Sequence, residues 1–163
     1  MLAAPVLLAP PDQSVNFDGE HPTVLVDDVP IDEDIAPLIE ALWQRGIETL
    51  NSCQDNGDNH WVWIEFATPL DASKFLNAAI GRFGDHRTLY GRAMGTSMDT
   101  PDAWTYQVFP VNYGIEESIV DDEVQERRIG PNDVDFSISI RFPRRDLSTV
   151  LRRLMASPPD PLT

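Results

Sequence analysis

Cys53 is the single cysteine of the 163-residue chain, and His60 follows it seven residues later. A cysteine nucleophile needs its thiolate form and a base within hydrogen-bond reach. The residues between them, Gln54-Asp-Asn-Gly-Asp-Asn59, read as a polar loop between two strand-forming runs. If those runs pair as a hairpin, Cys53 and His60 meet at one end of it. An enzyme centred on Cys53 and His60 is therefore one reading. The competing reading is a small buried hydrophobe with an unreactive thiol, the commoner fate of a lone cysteine.

A second group lies just beyond. In the run His60–Ala67, period two sends Val62, Ile64 and Phe66 to one face and Trp61, Trp63 and Glu65 to the other. Two tryptophans beside a glutamate are explained either by a second packed layer, such as the N-terminal segment, or by a binding surface. In the strand 134–142, Val134, Phe136, Ile138, Ile140 and Phe142 alternate with Asp135, Ser137, Ser139 and Arg141. Trp61, Trp63, Glu65, Ser139 and Arg141 are thus expected to form one ligand or partner face, with Glu65 able to pair with Arg141.

A third group is basic. Arg82, His86, Arg87 and Arg92, with Asp85 among them, occupy a stretch punctuated by glycines. It reads as a solvated loop, with anion binding as the alternative. Its glycine spacing fits neither a phosphate loop nor a dinucleotide fingerprint.

No metal or cofactor is called for. Asp32, Glu33 and Asp34 stand where a helix dipole favours anions, with a metal-binding cluster of the three as the alternative reading. Asp55, Asn56, Asp58 and Asn59 are turn formers and lack the spacing and distal glutamate of a calcium loop. One cysteine excludes an intramolecular disulfide and any zinc site built on paired cysteines. No Ser-His-Asp elbow, His-Glu-x-x-His or Cys-x-x-Cys motif occurs.

The whole chain carries 27 acidic against 12 basic residues. A field that negative disfavours non-specific nucleic-acid binding. Residues 1–60 hold most of the imbalance, with twelve acidic residues against one basic, Arg45. No run is long and apolar enough to span a bilayer, and a cytoplasmic protein is expected.

These residues must be positioned by a small set of elements. Residues 1–14, rich in Ala, Pro and Leu, read as a tail; 15–157 as one α+β domain; 158–163 as a C-terminal tail. A turn is expected at Asp18-Gly19, and Thr23–Val26 is a short strand closed by Asp27, Asp28 and Pro30. Ile35, Leu38, Ile39 and Leu42 mark one face of a helix capped by Asp32 or Asp34 and ended by Arg45-Gly46. A strand 47–52 precedes the loop. A second helix starts near Asp71 and buries Ala72, Phe75, Leu76, Ala79, Ile80 and Phe83. Residues 104–111 form an edge strand, and 114–131 are irregular with a helical turn near 121–128. A third helix starts near Asp146 and buries Leu147, Val150, Leu151 and Leu154. The order β-α-β-β-α-β-β-α fits an antiparallel sheet with helices on one face, a ferredoxin-like or related sandwich.

The run Ile35-x-x-Leu38-Ile39-x-x-Leu42-x-x-x-Gly46-Ile47-x-Thr49-x-x-Ser52-Cys53, followed by Trp61-Val62-Trp63-Ile64-Glu65-Phe66, resembles a pattern in small uncharacterised bacterial and bacteriophage proteins. Its Ser52-Cys53 segment is also similar to that of the methyltransferase of tRNA wybutosine synthesis. That family continues with a glycine and a basic residue, where Gln54 and Asp55 stand in this chain. The resemblance covers about a fifth of the chain and implies the local helix–strand–strand topology. The function expected is a phage-related binding module for a protein or ligand. The enzyme at Cys53 and His60 is the first alternative, and an acidic mimic of nucleic acid the second.

Overall fold

The structure is a computed structural model describing residues 21–57, 60–81, 87–94, 101–111, 114–120, 123–129 and 135–156, with backbone alone for 87, 114–120 and 123–129. The expected tails, the Asp18-Gly19 turn, Phe83 and Val134 lie outside the described residues.

Thr23–Val26 (β1) and Val29–Asp32 (β2) pair antiparallel. Asp27 and Asp28 have φ of 47° and 65°, the two left-handed residues that a tight two-residue hairpin needs. They were expected to close a lone strand; instead they fold the chain back, and β2 ends at Asp32, whose carbonyl accepts the N–H of Ile35 at 3.1 Å. The helix Ala36–Trp43 (α1) buries Ile35, Leu38, Ile39 and Leu42 as its spacing predicts. Its cap is a correction. Ile35 is the N-cap and makes no side-chain cap bond, while Asp32 accepts the backbone N–H of Gln54 at 2.9 Å. At the other end Gly46 takes φ 64°. This lets the Ile47 N–H return to the Leu42 carbonyl at 3.1 Å, a closure that glycine makes without Cβ strain.

Thr49–Asn56 (β3) and Trp61–Phe66 (β4) form a bulged hairpin. The first strand runs further than expected, so Cys53 sits inside β3 rather than at the mouth of a loop. Pro69–Ile80 (α2) starts two residues before Asp71. Thr68 is its N-cap, accepting the Asp71 N–H at 3.1 Å, and Pro69 opens the first turn, where its missing donor costs nothing. Asp71 is buried and also accepts the Glu48 N–H at 3.3 Å, tying the helix start to the approach to β3.

Arg87–Ala93 (α3) replaces part of the expected basic loop. Thr105–Val111 (β5) is an edge strand as expected. The hydroxyl of Tyr106 donates to the Ala93 carbonyl, and burial pushes its pKa up to about 12. Gly114–Val120 (β6) and Glu123–Ile129 (β7) form an antiparallel hairpin where an irregular stretch with a helical turn was expected; the strands read poorly because charges interrupt any apolar alternation. Asp135–Pro143 (β8) leads through one 3-10 turn at Arg144–Asp146 into Leu147–Ala156 (α4).

The main sheet has the order β3-β4-β8-β5, and all three pairings are antiparallel. The α+β class and the antiparallel sheet are as expected. The absence of a parallel pair in this sheet makes it the related sandwich rather than a split βαβ unit. Val62, Ile64, Phe66, Ile140 and Phe142 pack with Leu38, Leu42, Phe75, Val150 and Leu154 in one core, and Ile138 is partly buried against it. Phe136, expected in that core, is 48% exposed. It pairs with Pro110 of the edge strand, at the end of the sheet beyond the Ile138 pairing with Phe66.

Candidate functional site

Alternation puts every second residue of the sheet on the face away from the helices. The register aligns Cys53, Trp63, Arg141 and Thr105 in one row across four strands. The next row is Asn51, Glu65, Ser139 and Gln107. The expected face residues Trp61, Trp63, Glu65, Ser139 and Arg141 therefore do lie together.

Their contacts differ from the expected ones. Glu65 accepts the Ser137 hydroxyl at 2.7 Å. Arg141 donates to Asn56 and Gln107, each at 2.8 Å. Glu65 and Arg141 thus use other partners, because Ser137 stands diagonal to Glu65 and the two amides flank the guanidinium. The face is also not open at its centre. Trp63 is 5% exposed and Ser139 1%, while Asn51, Thr105 and Gln107 of the same rows are exposed, so this face is covered at its centre and open towards its edges. Whether the N-terminal segment is the cover lies outside the described residues. Two buried polar atoms on this face, Trp63 Nε1 and Ser139 Oγ, find no hydrogen-bond partner among the described residues. They are diagonal neighbours across β4 and β8.

Cys53 is buried and unpaired by any disulfide. His60 does not serve it: its Nδ1 lies 2.6 Å from Asp55 Oδ1, on a side chain 75% exposed. The groups gathered around the sulfur are Asp32 and His21, and the donor atoms of the three residues all lie within 4.8 Å of one another. Sequence reasoning placed neither beside Cys53. Asp32 was read as a helix cap, or as a ligand beside Glu33 and Asp34, because β2 was not seen, and His21 followed the expected Asp18-Gly19 turn with no partner assigned to it. Gln54 fixes the arrangement. Its N–H binds one Asp32 oxygen, and its buried side-chain carbonyl accepts the Asp34 N–H at 2.8 Å.

Burial pushes the Cys53 thiol above its ordinary value; a hydrogen bond from the Asp55 backbone partly offsets this, and the Asp32 carboxylate adds to the rise. The thiol is therefore neutral at pH 7. In metal-free protein a thiol reagent should label Cys53 more slowly than a free model thiol, with the rate still climbing above pH 9. Fast labelling at pH 7 would contradict this. The sign for stability follows: a raised folded pKa contributes below the unfolded value and is lost as pH rises through the folded one.

Of the basic group, Arg82 and His86 lie outside the described residues, as does the side chain of Arg87. Arg92 is on α3 and bonds Asp146 at 2.5 Å, so a structural ion pair takes the cation expected to meet an anion. Among the described residues no helix is long and apolar enough to cross a membrane.

The chain is 28% identical over 127 residues to an uncharacterized protein of Acanthamoeba polyphaga mimivirus, covering 77% of this chain and 61% of that one. It is thus similar to a viral protein, and spans about three-fifths of that relative's length. No family model and no solved structure matches it. The likeness to the wybutosine-synthesis methyltransferase finds no support in these matches.

Proposed function

We propose that this chain is a small cytoplasmic binding module that encloses a small polar ligand against the helix-free face of its sheet. The observation that carries this is the pair of buried, unpartnered groups, Trp63 Nε1 and Ser139 Oγ, side by side on one face. Orphaned buried donors are costly and rare, and they mark places where a bound molecule completes the hydrogen bonding. Arg141 and Glu65 flank them, each already oriented by neighbours, so the polar surroundings are preorganised. The viral relative supports a virus- or phage-encoded origin.

The other readings have less to rest on. A flat protein partner or a second protomer finds little of Trp63 to grip. An enzyme at Cys53 and His60 would start from a protonated thiol and a histidine engaged by Asp55. An acidic mimic needs free carboxylates, yet Asp34 and Asp102 pair with Arg144 and Arg145.

Ser139→Ala tests the reading. In protein stripped of ligand by unfolding and refolding, the variant should be more stable by about 1–3 kcal/mol, since it removes an unsatisfied buried hydroxyl. In protein as purified, that gain should vanish because the variant loses the ligand. An equal gain in both preparations, measured by urea denaturation, would mean that the face holds nothing.

A further inference from the structure

We infer that His21, Asp32 and Cys53 form a binding site for a divalent, borderline-soft metal ion of the zinc class, with a fourth coordination position left for water or a ligand. The inference rests on the donor cluster and not on the orphaned groups of the sheet face, so it stands or falls independently of the ligand reading.

The donor set argues for the ion. One imidazole nitrogen, one carboxylate oxygen and one sulfur lie within 4.8 Å of one another. Zinc sits roughly 2.0–2.3 Å from such donors. Donors sharing a tetrahedral centre at those lengths are about 3.5 Å apart, so only a small contraction is required. Three protein ligands with an open fourth position is the pattern of reactive rather than purely structural zinc. Nitrogen and sulfur together select against calcium and magnesium, which take oxygen.

Charge and access agree. On binding, the Cys53 S–H bond breaks, a sulfur electron pair forms the bond to the metal, and the proton leaves to solvent. Thiolate and carboxylate then neutralise a divalent charge, and His21 donates a lone pair as neutral imidazole. Cys53 is buried while His21 and Asp32 are half-buried, so the cluster is anchored on the sulfur side and reachable on the other.

The site is held from outside as metal ligands usually are. The Gln54 N–H orients one Asp32 oxygen, and the Gln54 side chain is locked by the Asp34 N–H. Such outer partners fix ligand direction and commonly matter by 10–100-fold in metal affinity. The three residues come from the approach to β1, the end of β2 and the middle of β3, so the ion would also clasp the hairpin to the edge of the main sheet.

Cobalt(II) titrated into the full, chelator-treated chain is the probe. Wild type should bind one ion per chain with a near-ultraviolet thiolate-to-cobalt charge-transfer band, and zinc should displace it. Cys53→Ser should abolish that band. His21→Ala and Asp32→Asn should each weaken binding by about 10–100-fold or more, with circular dichroism confirming that they fold. His60→Ala should leave binding unchanged. The proposal is overturned if wild type gives no charge-transfer band. It is equally overturned if folded His21→Ala binds as wild type does, or if binding is lost with His60→Ala.

Discussion

Asp146→Ala should lower the stability of the fold by about 3–5 kcal/mol, the cost of removing one partner from a buried ion pair. Asp146 is 5% exposed. One of its oxygens takes the Arg92 guanidinium at 2.5 Å, and the other takes the Trp104 indole N–H at 3.0 Å. Three parts of the chain converge there: α3, the residue before β5 and the turn that starts α4. The truncation leaves a cation with 14% side-chain exposure lacking its counter-charge, and orphans an indole donor as well. Asp146→Asn should lose less, because it keeps an acceptor. A urea midpoint for Asp146→Ala within error of wild type would show that the pair contributes nothing net.

Phe75→Ala should cost about 3–5 kcal/mol, as large core truncations of phenylalanine do. Phe75 is fully buried. Its ring stacks on Phe66 at 5.0 Å and lies 6.3 Å from both Trp104 and Phe142, while Trp104 and Phe142 stack at 4.7 Å. Removing the ring opens a cavity between α2 and three aromatics, Phe66 and Phe142 on strands and Trp104 just before β5, with no flexible side chain among those rings to fill it. Aromatic pairing adds to the loss beyond buried area. Phe75→Leu should lose distinctly less. A melting temperature unchanged in Phe75→Ala would contradict the placement of α2 over the sheet.

The elements that carry these effects were readable to different degrees. Phe75 lay on an unbroken helical stripe, and Ile64, Phe66 and Ile140 on unbroken alternation, because burial of one face writes a period into the sequence. Asp146 and Arg92 carry no such mark. Their pairing joins residues 54 apart, and only the folded chain shows that an arginine expected in a solvated loop is held in an ion pair with a buried aspartate. The β1–β2 hairpin was half legible: its turn needed two left-handed aspartates where asparagine and glycine are the usual signal. Missing β2 hid Asp32, and with it the company that Cys53 keeps. The face of Trp61, Trp63, Glu65, Ser139 and Arg141 followed from period two alone. Its burial and its particular hydrogen bonds did not, since these depend on the layer above and on diagonal neighbours.

The central claim is that the helix-free face encloses a small molecule, and the mass of the folded protein tests it most directly. The 163-residue chain, purified without added ligand, should show in native mass spectrometry an excess over the chain mass. That excess should be larger than a single metal ion, disappear on denaturation, and be absent from a Trp63→Phe/Ser139→Ala double variant. A native mass equal to the chain alone, or an excess that the double variant retains, would contradict the account.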